Sequence, residues 1–120
     1  SQRVLVAAGE LAVPRIHFGV GTGEILDLMG SAGADVVGVD WRVPLERGIE
    51  RVGGRAVQGN LDPTLVFAPT EVMLDRAAQI VEAGSADPGH IFNLGHGVHP
   101  STNPDQLARL TEFVHERSSR

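Results

Sequence analysis

The chain contains neither cysteine nor lysine, and each absence excludes a class of chemistry. Without Cys, disulfides, thiolate zinc sites and cysteine nucleophiles are impossible within these 120 residues. Without Lys, no side-chain Schiff base, such as one with pyridoxal phosphate, can form. Tyr is absent as well, and all ten basic residues are Arg.

Long hydrophobic runs and an excess of positive charge are also lacking. No apolar run approaches the ~20 residues needed to span a bilayer, and no signal peptide is visible. The net charge of −5 argues against nucleic acid as a partner, although a local arginine cluster would still suit an anionic substrate. We therefore expect a cytoplasmic protein with no membrane and no nucleic-acid partner.

The composition favours a folded domain, since 42% of the residues are hydrophobic and only 21% are charged. The chain starts at Ser1 rather than Met, inside a helical pattern. We expect it to be a piece of a longer protein.

Short apolar strands alternate with amphipathic helices, which predicts a parallel sheet covered by helices. The predicted strands are 15–18, 35–40, 56–60 and His90 to Leu94. Helices are expected to begin at Thr22, Pro44, Thr70 and Asn103-Pro104. Their expected inward residues are Ile25, Leu28, Met29 and Ala32; Leu45, Ile49 and Val52; Leu74, Ala77, Ala78 and Val81; and Leu107, Leu110, Thr111 and Val114.

Polar side chains follow three of the predicted strands at their carboxyl ends. They are Asp40, Asn60 with Asp62, and Asn93 with His96. In α/β folds this edge binds ligands, in open sheets and in barrels alike. Any one of these residues is explained by capping of the next helix, but all three ends together favour a ligand site.

A glycine loop, Gly19-Val20-Gly21-Thr22-Gly23-Glu24, offers a competing interpretation. With Asp40 about twenty residues on, it resembles the nucleotide-binding opening of a Rossmann-type S-adenosylmethionine-dependent methyltransferase. Against this, His17 stands where that loop usually has an acidic residue. The fold also predicts seven strands and no Asn93-Leu94-Gly95-His96-Gly97 motif, so we keep it as the alternative.

Three further motifs lie in order along the chain: Val36-Val37-Gly38-Val39-Asp40-Trp41, Gln58-Gly59-Asn60-Leu61-Asp62-Pro63, and Asn93-Leu94-Gly95-His96-Gly97-Val98 followed by Pro100. Over essentially its whole length the chain resembles the uroporphyrinogen decarboxylase family. Related corrinoid methyltransferases need a cysteine-containing zinc site, which this chain cannot supply.

The resemblance implies the C-terminal portion of a (β/α)₈ TIM barrel, with about four βα units in residues 1–120. It implies decarboxylation of the four acetate arms of uroporphyrinogen III to give coproporphyrinogen III, with no metal and no organic cofactor. The complete enzyme is expected to be a homodimer. The resemblance also implies one catalytic and substrate-binding residue in this chain, His96. Its expected role is hydrogen bonding to substrate, with proton delivery as a second role.

The other family site residues would lie outside this chain, so we expect the chain alone to be inactive. A third hypothesis is that it is only a structural or interaction module.

The remaining polar candidates have structural explanations. Asp40 is expected to cap a helix or hold a loop, and Trp41 to pack in the interior. Asn60 and Asp62 are expected to brace the site, with Pro63 setting a turn. Arg42 is expected to form an ion pair or to meet a substrate carboxylate. His17 is expected inside the fold, His90 and His115 on the surface, and His96 with His99 not to bind a metal.

Overall fold

The computed structural model describes residues 1–87 and 89–119. Its helices are α1 (Gln2–Ala8), α2 (Leu26–Ser31), α3 (Leu45–Arg51), α4 (Thr70–Ser85) and α5 (Pro104–Ser118), and its strands are β1 (Ile16–His17), β2 (Val36–Gly38) and β3 (Ala56–Gln58). Short 3₁₀ turns lie at Gly9–Leu11, Gly23–Ile25 and Pro63–Phe67. Within the described ranges, no helix is both long enough and apolar enough to cross a membrane.

The three strands form a parallel sheet in the order β1-β2-β3, with Val36 opposite Ile16 on one side and Ala56 on the other. Residues 91–95 run parallel to the far side of β3. In that pairing, the N–H of Ile91 donates to the Val57 carbonyl at 2.9 Å, and that of Gly95 to the Leu61 carbonyl at 2.8 Å. Four parallel stretches therefore lie side by side in chain order, as predicted for a barrel segment.

The expected fourth strand, His90 to Leu94, is paired but is not a regular strand. It touches its neighbour through isolated bridges, from Ile91 to Gln58 and from Leu94 to Leu61. Between these bridges Gly59 has a φ of +138°, outside the extended region, so the ladder is interrupted there.

All the helices that contribute to the core pack on one face of the sheet. Val37, Val39 and Val57 point into that core from the strands, and they meet Leu26, Met73, Ile80, Leu110 and Val114 from the helices. The opposite face, here called the inner face, carries Ile16, Phe18 and Ile91, each more than 40% exposed. Val36, which pairs with Ile16 and shares this face, is buried, so the inner face is covered at β2 and exposed at the strands on either side.

The helix after β1 departs from the prediction in its start and its buried face. The Thr22 hydroxyl donates to the Gly19 carbonyl at 2.6 Å instead of capping the helix. The 3₁₀ turn at Gly23–Ile25 then winds with fewer residues per turn than an α-helix, which shifts the register of α2. Met29 is buried as expected, but its buried partner is Leu26, whereas Ile25 and Leu28 are exposed.

In α4 and α5 the starts agree with the prediction but the buried faces are partly different. The buried residues of α4 are Met73, Ala77, Ile80 and Gly84, one position away from most of the predicted set. In α5, Leu110 and Val114 are buried as expected and Thr111 is exposed. Asn103 caps α5, because its side chain accepts a hydrogen bond from the Asp105 N–H at 3.0 Å.

Candidate functional site at the carboxyl edge of the sheet

His96 lies just beyond the paired stretch 91–95, at the edge of the sheet where the strands end. Its ring is exposed and lines a shallow cavity of about 310 Å³ together with Phe18, Gln58 and Asn93. Among the described residues, the ring makes a single, long hydrogen bond, 3.3 Å from Nδ1 to the carbonyl of Gly97. Nε2 is therefore left free to meet a ligand in the cavity.

Gly95 brings this histidine close to the second strand. Its carbonyl accepts a hydrogen bond from the Trp41 N–H at 3.3 Å, and a Cβ at position 95 would lie 2.6 Å from the Trp41 Cα. A side chain at 95 would therefore collide with backbone. Gly97, by contrast, has open space around the position of a Cβ. Of the two glycines that flank His96, only Gly95 is required by close packing.

Asp40 is enclosed at the end of β2, where its side chain is 1% exposed. Its carboxylate accepts hydrogen bonds from the N–H of Gly21 at 2.9 Å, from the N–H of Arg42 at 2.9 Å and from the Arg42 guanidinium at 2.9 and 3.0 Å. Asp40 thus holds the glycine loop 19–23 against the sheet, which confirms its predicted structural role.

The electrostatics of Asp40 favour the charged form. Burial raises the pKa of its carboxyl, but the two backbone N–H groups and the guanidinium outweigh this, so the pKa lies below the ordinary value of 3.8. Arg42 also stacks on the Trp41 ring, 4.7 Å from guanidinium carbon to ring centroid. Arg42 is therefore engaged within the loop rather than presented to an incoming carboxylate.

Asn60 and Asp62 hold the loop that follows β3. The buried amide of Asn60 donates to the carbonyl of Asp40 at 3.1 Å and to that of Val43, which ties β3 to the end of β2. Asp62 caps the 3₁₀ turn Pro63–Phe67, since its carboxylate accepts from the N–H and the hydroxyl of Thr64 at 2.9 and 2.8 Å. Both contacts confirm the expected bracing role.

The methyltransferase alternative is not supported by this arrangement. In Rossmann-type folds the fourth strand returns to lie beside the first, whereas here residues 91–95 pair with β3. Asp40 would have to hold ribose hydroxyls, yet its carboxylate is occupied by Gly21 and Arg42.

Comparison with known proteins agrees with the motifs on this edge of the sheet, because residues 2–117 match the uroporphyrinogen decarboxylase family. The chain belongs to the uroporphyrinogen decarboxylase family. Among its relatives, a uroporphyrinogen decarboxylase from Nocardioides sp. is 76% identical over 114 residues, which are 95% of this chain and 33% of the relative. Enzymes of the same name from Salinispora tropica and Streptomyces avermitilis are 59% and 56% identical over 100% of the chain. They are covered to 33% and 34%, so the chain spans about a third of the length of the curated relatives it matches.

The other histidines of this family member lie away from the cavity. His90 was expected at the surface but is half-buried, and its Nε2–H donates to the Gly59 carbonyl at 2.7 Å. His17 is half-buried on β1, as expected of an interior residue, and its Nδ1 has no partner among the described residues. His99 accepts a hydrogen bond from the Ser101 N–H at 3.1 Å, and His115 is exposed on α5 as predicted. Within residues 1–87 and 89–119, no three His, Asp or Glu side chains converge as metal ligands would.

Two residues of the cavity, Gln58 and Phe18, were missed by the sequence analysis. Both stand on the inner face, because the adjacent Val57 points into the helix-covered core and side chains alternate along a strand. That alternation was readable in Ala56-Val57-Gln58, where a polar residue flanks a core residue at the end of a strand. The predicted residues His96 and Asn93 both line the cavity. Asp40 and Asn60 do not line it but hydrogen-bond to the neighbouring loops.

Proposed function

We propose that this chain provides the last portion of a (β/α)₈ barrel, about four βα units, in an enzyme that decarboxylates uroporphyrinogen III. The observation that carries the proposal is the position of His96. It stands in a cavity at the carboxyl end of parallel strands ordered as in the chain, which is where barrel enzymes bind substrate.

Barrel closure is supported by the surfaces that the chain leaves uncovered. β1 and the stretch 91–95 each have one parallel neighbour among the described residues, and the inner face exposes apolar side chains. Beside 90–94, a groove of about 790 Å³ runs between α4 and α5 and is lined by Val81, Phe92, Leu107, Leu110 and Val114. The other two thirds of a protein of the relatives' length would supply the strands that cover these surfaces.

The proposed reaction draws its electron sink from the substrate. Protonation of a pyrrole carbon makes the ring cationic, and the bond between the acetate methylene and its carboxylate then breaks. The electron pair moves into the ring, carbon dioxide leaves, the methylene carbon takes up a proton and becomes a methyl group, and the ring carbon gives its proton back. The net change for each arm is the uptake of one proton and the loss of one carbon dioxide.

His96 suits this chemistry because an imidazole can donate a hydrogen bond to a carboxylate or move a proton near neutral pH. Its free Nε2 is the atom we assign to substrate. Homodimer formation by the complete enzyme and its cytoplasmic location stay predictions.

The test is a chimera in which this chain replaces the matching third of the Nocardioides relative. We expect it to convert uroporphyrinogen to coproporphyrinogen, measured by chromatography of the oxidised porphyrins. His96→Gln should lower kcat/KM at least about tenfold, since it removes a group that contacts substrate. A chimera that folds like the parent relative and lacks activity would contradict the proposal.

A second histidine in the same loop provides the matched control. His99→Asn keeps an acceptor for the Ser101 N–H and lies outside the cavity, so kcat/KM should stay within about twofold. Equal losses in both variants would indicate a general effect on the loop and contradict a specific role for His96.

A further inference from the structure

The cavity beside His96 has an unusual lining for a site that receives a polyanion. Its described lining residues are Phe18, Gln58, Asn93, Leu94, His96, Gly97 and Val98. Apart from the titratable imidazole, the polar groups among them are two neutral side-chain amides. Arg42, the guanidinium at this end of β2, is paired with Asp40 and does not line the cavity.

Gln58 lines this cavity from a backbone that is hydrogen-bonded within the sheet. It is the last residue of β3, its carbonyl accepts a hydrogen bond from the Val39 N–H at 2.8 Å, and it pairs across the sheet with Ile91. With the backbone fixed on both sides, the side chain can only project from the inner face. Its amide can supply both a donor and an acceptor to a ligand in the cavity.

Asn93 supplies the second amide and is already oriented. Its Oδ1 accepts a hydrogen bond from the Leu94 N–H at 2.8 Å. The group left for a ligand is therefore the NH₂, which has two donors and no acceptor. A negatively charged oxygen is the matching partner.

We propose that Gln58, together with Asn93, binds the carboxylate of the acetate arm that is about to lose carbon dioxide. This inference rests on the proposed function and names the part of the substrate that enters this cavity. Binding by neutral amides orients the carboxylate without compensating its full charge. Because that charge disappears as carbon dioxide forms, an ion pair with arginine would stabilise the bound substrate more than the transition state and would slow the reaction.

The apolar part of the lining fits the outcome of the same step. The Phe18 ring lies over Gly38, where a Cβ would stand 2.8 Å from the ring, and Leu94 and Val98 complete the wall. Carbon dioxide and a methyl group are less polar than an acetate. The apolar wall therefore favours the products over the starting arm.

The test uses two substitutions at Gln58 in the chimera, with kcat and KM measured separately. Gln58→Leu removes the hydrogen bonds at similar size, and we expect kcat to fall about tenfold. KM should change less than about threefold, because the other carboxylates of the substrate keep their own contacts. Gln58→Glu should raise KM more than about tenfold, because a carboxylate at position 58 repels the carboxylate of the bound substrate and cannot donate a hydrogen bond to it.

The matched control is Gln79→Glu, which makes the same chemical change on the exposed side of α4 and should leave both constants unchanged. Circular dichroism and Tm verify that each variant is folded, and Gln58→Leu carries the test if Gln58→Glu unfolds. An active chimera in which Gln58→Leu leaves kcat unchanged would overturn this inference alone, and so would one in which Gln58→Glu leaves KM unchanged. A folded but inactive unsubstituted chimera would overturn the proposed function and this inference with it.

Discussion

Asp40 carries a charge in a position that is almost closed to water. Loss of solvation disfavours the carboxylate, yet four hydrogen bonds from Gly21 and Arg42 reverse the balance. The result is a fixed negative group that anchors the loop 19–23 beside Phe18, one wall of the cavity. A residue that resembles a nucleotide ligand in the sequence thus stabilises the loop around a different site.

We expect Asp40→Asn to lower the free energy of unfolding by about 2 kcal/mol, because the new amide places its NH₂ against groups that only donate. Since the folded pKa lies below the ordinary 3.8, the contribution of the charge is complete at neutral pH and is lost as the pH falls through the folded value. The difference in Tm between the unsubstituted chimera and the Asp40→Asn chimera should therefore be largest above about pH 5 and become smaller in more acidic buffer. The exposed Asp75→Asn serves as control; a Tm difference independent of pH would contradict the assignment.

At the scale of elements, the order of strands and helices was predictable from the sequence, but the pairing that locates His96 was not. Capping and periodicity correctly predicted the start of α5 at Asn103-Pro104 and the buried strands around Val37 and Val57. Spacing alone predicted Met29 and Ala77 correctly but misplaced the rest of the buried faces of α2 and α4, because a 3₁₀ turn or a one-residue offset rotates a helix without changing its hydrophobic content.

The site was predictable where a motif names the residue and unpredictable where tertiary contacts decide. His96 stands out between its glycines, but nothing local shows that Gly95 packs on Trp41, that His90 donates to Gly59, or that Asp40 reaches back to Gly21. These contacts join residues 19 to 54 positions apart, so a single sequence does not reveal them.

The contact between Gly95 and Trp41 joins the fourth parallel stretch to the end of β2, and it can be tested with a pair of glycines. Gly95→Ala forces a Cβ against Trp41 backbone and should lower the free energy of unfolding by about 2 kcal/mol or more. Gly97→Ala enters open space and should change it by less than about 1 kcal/mol. Denaturant unfolding of the two chimeras measures both values. Equal changes in the free energy of unfolding for the two variants would contradict a requirement for close packing of Gly95 against Trp41.

At the scale of the whole molecule, the chain is less compact than a domain of its length and leaves large apolar side chains exposed. Its radius of gyration is 14.6 Å, against about 13.6 Å expected for a compact domain of this length. Val4 and Val6 of α1 are exposed, as are Ile16 and Phe18 of the inner face. Contiguous apolar surface beside open strand edges is a site of association.

We expect the isolated chain to be catalytically inactive and to aggregate, with strong binding of a hydrophobic dye, because its inner face exposes Ile16, Phe18 and Ile91 and its outer strands each have one neighbour among the described residues. Co-expression with the remaining two thirds of the Nocardioides relative should bring it into a stable complex and restore decarboxylation. Size-exclusion chromatography and the porphyrin assay measure the two effects, and the same co-expression with His96→Gln should yield the complex with little activity. A chain that is monodisperse, does not bind the dye and does not bind the complementary fragment would instead favour an independent structural module. Whether the complementary fragment packs against the exposed apolar side chains of the inner face therefore distinguishes part of an enzyme from a separate domain.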